Sequence, residues 1–247
     1  MRCSPPSNIV GDACRLSLSI VPGTALQRRP MRDRLQALLH QITRNPELEA
    51  RWLHTVSMME FIGARKISRT VADRHPSLDV LNHLADETRH AFAFKRLSTE
   101  VAGREISDYL CPEAAARYFQ SLDHELAAWA SALTGETDVY LHYLLTTTTI
   151  ERRAMVLYPL YKAATSHPFV REELGRVVIE EQSHRRAIED ACLTRLREVN
   201  GSLETALAVE ERLFGAFLGV LEEALAGAGG TENARRASPP QSLAQPS

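Results

Sequence analysis

The sequence predicts an all-α protein, and two observations carry the prediction. Apolar residues recur with a 3.6-residue period over long stretches, and no stretch of comparable length alternates as a strand does. Most prolines fall outside or at the start of these stretches, with His75-Pro76 and His167-Pro168 each separating two long periodic segments.

The elements follow in order. Residues 1 to 30 carry Pro5, Pro6, Pro22 and Pro30 without periodicity and read as an extended or disordered arm. A short helix runs from about Met31 to Arg44. Asn45-Pro46, a capping residue followed by proline at the first helical position, opens the first long helix, which reaches about Arg74. After His75-Pro76 a second runs to Ala102, stopped by Gly103. A third begins at Pro112 and fades near Gly135. A fourth spans Thr137 to Thr165, with a kink expected at Pro159. A fifth runs from Pro168 to Val199, ahead of Asn200-Gly201. A sixth spans Ser202 to Ala226 with Gly227 as its stop, and residues 227 to 247, rich in Gly, Ser, Pro, Ala and Gln, read as a disordered tail. One helical domain thus occupies 31–226.

Composition narrows the function classes. A net charge of -2 gives no footing for nucleic acid or an acidic membrane surface. No apolar run approaches the ~20 residues of a membrane span. Asp12 and Arg15 interrupt any secretory apolar core. Cys3, Cys14, Cys111 and Cys192 form no C-x-x-C pair, which excludes a zinc knuckle or a rubredoxin-type site and fits a reducing cytoplasm.

The order of elements contains a repeat: twice, a long helix meets a His-Pro turn and a second long helix follows. Antiparallel hairpins of this kind build four-helix bundles. Asn45–Ala102 is expected to form one hairpin and Thr137–Val199 the other, with the helix from Pro112 to Leu133 as the long connection.

Each hairpin carries the same chemical inventory. The first has Glu60 and then Glu87-Thr88-Arg89-His90; the second has Glu151 and then Glu181-Gln182-Ser183-His184. A glutamate and a histidine three residues apart share a helix face, so both can reach one metal. Glu60 lies about 15 residues before its turn and Glu87 about 11 after it, while Glu151 and Glu181 lie about 16 before and about 13 after theirs. At ~1.5 Å per residue, the carboxylates of each hairpin stand at one level.

The ligands fall on stripes that should be buried: Leu53, Val56, Glu60, Gly63, Ile67; Val80, Leu84, Glu87, Ala91, Phe94, with His90 and Leu97 beside them; Leu144, Thr148, Glu151, Met155, Tyr158; and Leu174, Val177, Glu181, His184, Ile188. Four carboxylates on core stripes would each cost several kcal/mol unless something compensates them. Two metal ions are the simple remedy, and a set of carboxylates and imidazoles suits iron, or manganese at either position.

The pattern resembles the ferritin-like di-iron carboxylate superfamily over roughly residues 45 to 200. Asp86-Glu87-Thr88-Arg89-His90 is similar to the D-E-x-R-H of bacterial multicomponent monooxygenases, ribonucleotide reductase small subunits and aminoarene N-oxygenases. The resemblance implies a ferritin-like four-helix bundle with flanking helices, holding two irons through Glu60, Glu87, His90, Glu151, Glu181 and His184. It also implies that the acid before each ligand glutamate holds the opposite histidine, so Asp86 would orient His184 and Glu180 would orient His90. Glu180 departs from the aspartate of those families.

The same resemblance separates chemistries. Ferritin-type sites lack the second histidine, here His184, and rubrerythrins usually add a cysteine-rich domain. The radical tyrosine of many ribonucleotide reductases is replaced by Phe94, which is expected, with Ala91, to wall a substrate pocket. Thr147 and Thr148, one turn before Glu151, offer hydroxyls toward bound oxygen species. Tyr158 and Tyr161 would line a channel or pack, and Arg152, Arg153, Arg185 and Arg186 would be solvated or ion-paired flanks. His83, one turn before Glu87, is weighed as a seventh ligand, but N-oxygenases place their additional histidine on the other E-x-x-H helix, where this chain has Val177. The expectation is an oxygen-activating oxidase or oxygenase acting on a small organic substrate with a separate electron donor. A rubrerythrin-like stress protein that reduces peroxide or oxidises iron is the alternative. A homodimer is compatible with the chain.

Overall fold

In the computed structural model, residues 30–71 and 75–236 are described, and their secondary structure is helical throughout. The order is α1 (Met31–Ile42), α2 (Pro46–Val71), α3 (Leu78–Ala102), α4 (Pro112–Thr134), α5 (Val139–Ala164), α6 (Pro168–Glu198) and α7 (Leu203–Arg236).

The helix boundaries have local causes. Asn45 Oδ1 accepts from the amides of Glu47 and Leu48 at 2.9 and 3.3 Å and so caps α2. Ser77 caps α3 through the Val80 amide, and Asp138 caps α5 through the Leu141 amide at 2.8 Å. Gly103 and Gly135, at φ 65° and 75°, close α3 and α4 in the left-handed region that glycine enters without a Cβ clash. Pro168 opens α6, where its missing N–H is not needed.

One expectation changes, at the C-terminal end. The sixth long helix does not stop at Gly227: α7 continues to Arg236. Glycine inside a helix costs only ~1 kcal/mol relative to alanine, and Gly227 does not adopt the left-handed backbone that would end the helix. The predicted arm, apart from Pro30, and the tail beyond Arg236 lie outside the described residues. Pro159 sits inside α5, which runs on past it to Ala164.

The two hairpins form as the spacing predicts, α2 pairing with α3 and α5 with α6, and they face each other through α2–α5 and α3–α6 contacts. Helix α4 packs on α7 and α5, while α1 leans on α5 and α7. Leu53, Val56, Phe94, Leu97, Leu144, Tyr161, Leu174 and Val177 fill the space between the hairpins. No helix of the described residues is long and apolar enough to cross a membrane.

Candidate metal centre

The four helices of the bundle each deliver acidic or imidazole groups to one level of this core. Glu60 (α2), Glu87 and His90 (α3), Glu151 (α5) and Glu181 (α6) are all buried, and His184 (α6) is nearly so. They separate into two groups. Ligand atoms of Glu60, Glu87, His90 and Glu181 lie within 4.8 Å of one another, as do those of His83, Glu151 and His184. Glu181 joins the two through a hydrogen bond with Glu151, so one carboxylate touches both groups.

Each ligand histidine is tied at one nitrogen and free at the other. His90 Nε2 meets Glu180 Oε2 at 2.9 Å, and His184 Nε2 meets Asp86 Oδ2 at 2.9 Å. Arg89 locks the two acids together, its Nη2 lying 2.7 Å from both Asp86 Oδ1 and Glu180 Oε2. Asp86 also accepts from Asn82 Nδ2 at 3.0 Å. Both acids therefore stand on the histidine across the bundle, and the extra methylene of Glu180 is accommodated. Such partners fix an imidazole's tautomer and aim the other nitrogen at a metal.

The inward atoms are the diagnostic ones. His90 Nδ1 lies 3.1 Å from Glu181 Oε1 and 3.8 Å from Glu60 Oε2, yet forms no well-directed hydrogen bond. His184 Nδ1 and Glu151 Oε2 are likewise buried without a partner among the described residues. Orphaned buried polar atoms are rare and costly, and these converge. A divalent cation in each group would satisfy all of them, so the residues present fit a metal pair.

The electrostatics of the metal-free centre point the same way. Burial, and then the neighbouring Glu60 carboxylate, pushes the Glu87 carboxyl up to about 8. Burial beside Glu181 raises Glu151 well above the usual carboxylate range. Burial alone would lower His90, but its contacts with Glu181 and Glu60 win and raise it to about 11. Glu181 is held down at about 2 despite its burial, by its contacts with Glu151 and His90. Without metal, protons must take the place of cations.

His83 enters the centre more closely than the sequence reading allowed. It is buried, its Nε2 lies 3.1 Å from both Glu87 Oε1 and Glu151 Oε1, and its ring centroid is 4.6 Å from that of His184. The signal was the i, i+4 spacing to Glu87, which puts His83 and Glu87 on one face. Tyr158 does more than line a channel, because its hydroxyl donates to Glu60 Oε1. Tyr143, which no motif marked, reaches His83 Nδ1 at 3.4 Å. Of the two expectations for Arg153, solvated or ion-paired, the second holds: it is largely buried and paired with Glu210 of α7.

Two cavities flank the centre. A small one of about 60 Å³ touches Glu60, Glu87, Glu151 and Glu181, closed by Tyr158, Phe119 and Ile150. A larger one of about 450 Å³ touches His83 and His184, between Tyr140, Tyr143, Leu144, Ile188 and the 75–80 turn. Thr147 lines the small cavity. Thr148, rotated ~100° from it around the helix, is fully buried and faces Cys192 on α6 instead. Phe94 and Ala91 line neither cavity; Phe94 packs on Tyr158 at 5.7 Å between centroids, because its stripe continues into the core beyond the ligands.

Comparison of the chain with protein-family models, with curated proteins and with solved structures finds no match. The chain is a helical bundle with buried carboxylate and histidine groups that could hold metal ions.

Proposed function

We propose that this chain is a ferritin-like di-iron oxidoreductase that activates dioxygen to oxidise a small organic molecule. One observation carries the reading. Two buried imidazole nitrogens and a carboxylate oxygen lack partners and converge on a level that four helices supply with carboxylates, while the far nitrogen of each imidazole is anchored by an acid. When bound, the two irons would supply electrons to dioxygen together. The substrate would give two of the four electrons dioxygen needs, and a separate donor the other two.

The chain's own residues set the conditions. Glu60, Glu87, His90, Glu151, Glu181 and His184 would hold the ions, and manganese fits the same donors. Asp86, Glu180 and Arg89 hold the imidazoles in place. Tyr158 donates a hydrogen bond to Glu60 and so orients its carboxylate, at the edge of a cavity with room for dioxygen but not for a larger molecule. The cavity beside His83 and His184 falls in the range of small-molecule sites and has apolar walls in Val80, Leu144 and Ile188. It favours an organic substrate over peroxide or iron, which need only a channel. The small size and largely apolar lining of the Glu60 cavity limit the water that can reach the centre, which protects a reactive site from side reactions.

The test is anaerobic Fe(II) loading followed by exposure to oxygen, with and without candidate substrates, followed by Mössbauer and optical spectroscopy. Oxidation of paired iron is expected, with at most about one product per loaded pair in the absence of reductant and repeated turnover only when reductant is supplied. Ala191→Phe, which fills the larger cavity from α6, should lower product yield and leave iron content intact. Fast turnover with peroxide that needs no organic substrate and ignores Ala191→Phe would favour the stress-protein reading instead.

A further inference from the structure

Three histidines reach this centre, and they share one arrangement. In His90 and His184 the outward nitrogen rests on a carboxylate, Glu180 or Asp86, and the inward nitrogen faces carboxylates, Glu181 and Glu60 for His90 and Glu181 of its own helix for His184. His83 is aimed inward in the same way, with a phenol in place of the outer acid and its inner nitrogen within hydrogen-bonding distance of Glu87. Its Nδ1 faces the Tyr143 hydroxyl at 3.4 Å, and its Nε2 faces Glu87 Oε1 of α3 and Glu151 Oε1 of α5, each at 3.1 Å. A phenol oxygen can accept the Nδ1 proton, which leaves the Nε2 lone pair pointing at two carboxylate oxygens. A lone pair and two acids converging in a buried site repel unless a cation lies among them. Ligand atoms of His83, Glu151 and His184 lie within 4.8 Å of one another, close enough for one ion to reach all three.

We propose that His83 is a seventh protein ligand, binding the ion held by Glu151 and His184, so that the two metal positions are chemically unlike. This rests on the dimetal reading above. One position is then held by three carboxylates and one imidazole, the other by two imidazoles and one carboxylate, with Glu181 between them. Imidazole-rich donor sets favour iron and later metals, while carboxylate-rich sets suit manganese. The position holding His83 and His184 also borders the larger cavity, so the imidazole-rich ion is the one nearest a molecule bound there.

The test follows Fe(II) binding by anaerobic equilibrium dialysis in the full chain carrying wild-type His83, His83→Gln or His83→Gly, each checked for helical content. Glutamine keeps an N–H donor for Glu87 and Glu151 but is a poor iron ligand. The expected result is that the first ion binds all three proteins alike, while the second binds both variants at least about tenfold more weakly, a loss on the scale seen even for groups that only support a ligand. Added imidazole should restore the second ion to His83→Gly and not to His83→Gln. Pulsed electron paramagnetic resonance of the mixed-valent iron form should count three coupled imidazoles in the wild type and two in His83→Gln. If the wild type binds two ions and His83→Gln holds both with unchanged affinity and an unchanged imidazole count, His83 only hydrogen-bonds the acids and the proposal is overturned, while the dimetal reading stands. A wild type that binds no iron removes both.

Discussion

Gly63 stands one turn beyond Glu60 on α2, and a Cβ added there would come within 3.0 Å of Glu87 Oε2. Alanine is the better helix former by ~1 kcal/mol, so Gly63→Ala sets helix stability against the position of a ligand. The metal-free protein should lose no stability in chemical denaturation, while metal affinity falls by about tenfold as Glu87 is displaced. An unchanged affinity would show that Glu87 need not stand where it does. The protons of the centre give a second prediction. Glu87 is raised from 4.5 to about 8 and His90 from 6.5 to about 11, so each contributes stability that is fully present below its unfolded value and lost as pH rises through its folded one. Glu181, lowered to about 2, loses its contribution only in strong acid. Between about pH 6.5 and 8, where the two ranges overlap, the metal-free protein should therefore lose stability relative to the metal-loaded one, in which ions replace these protons. The difference in Tm between the two forms should widen as pH rises across this window. Comparing the two forms cancels groups common to both, such as Lys66, which burial lowers to about 8. A difference that stays flat would mean the site's protons are not displaced by metal.

Helices α4, α5 and α7 meet at one polar junction outside the metal centre. Glu210 of α7 accepts from Tyr118 at 2.8 Å and from Arg153 Nε and Nη2 at 2.8 and 2.6 Å, and the Arg153 guanidinium lies 4.3 Å from the centre of the Phe214 ring. Removing one partner of a buried pair strands the other, at about 3–5 kcal/mol. Glu210→Ala should lower the unfolding free energy by that amount in urea and leave Glu210-free metal ligands occupied. A loss under 1 kcal/mol would show that α7 docks through Trp52, Phe217 and their apolar neighbours alone. This junction was not legible in the sequence. Arg153 reads as one of four arginines beside α5 and α6 ligands, and nothing local says that α7 returns to meet it. The elements themselves were legible where punctuation was strong. Asn45-Pro46, His167-Pro168 and Gly103 act on the backbone directly, so their helices begin and end near the predicted positions. Gly227 was misleading because a glycine ends a helix only when it adopts the left-handed backbone, and α7 continues through it.

At the scale of the molecule, the fold exists to bring two similar hairpins face to face so that four helices meet at one level. Much of that was readable, because E-x-x-H spacing, distance to each His-Pro turn and burial stripe are all one-dimensional signals. What the stripes could not resolve was which way a side chain turns at the end of a shared face. Phe94 lies on the ligand stripe but beyond the ligands, so it packs on Tyr158, and Thr147 and Thr148 part company by one helical step. His83 was discounted for its place on α3, although its spacing to Glu87 already put it on the right face. On the proposed reading, these helices hold two metal ions through buried carboxylates and imidazoles. The most direct test is elemental analysis after anaerobic Fe(II) dialysis of the wild type, Glu151→Ala and His184→Ala. About two ions per chain in the wild type, and clearly fewer in both variants, are expected of a paired site in a helical bundle. A wild type that retains no stoichiometric metal, or variants that keep both ions, would contradict it.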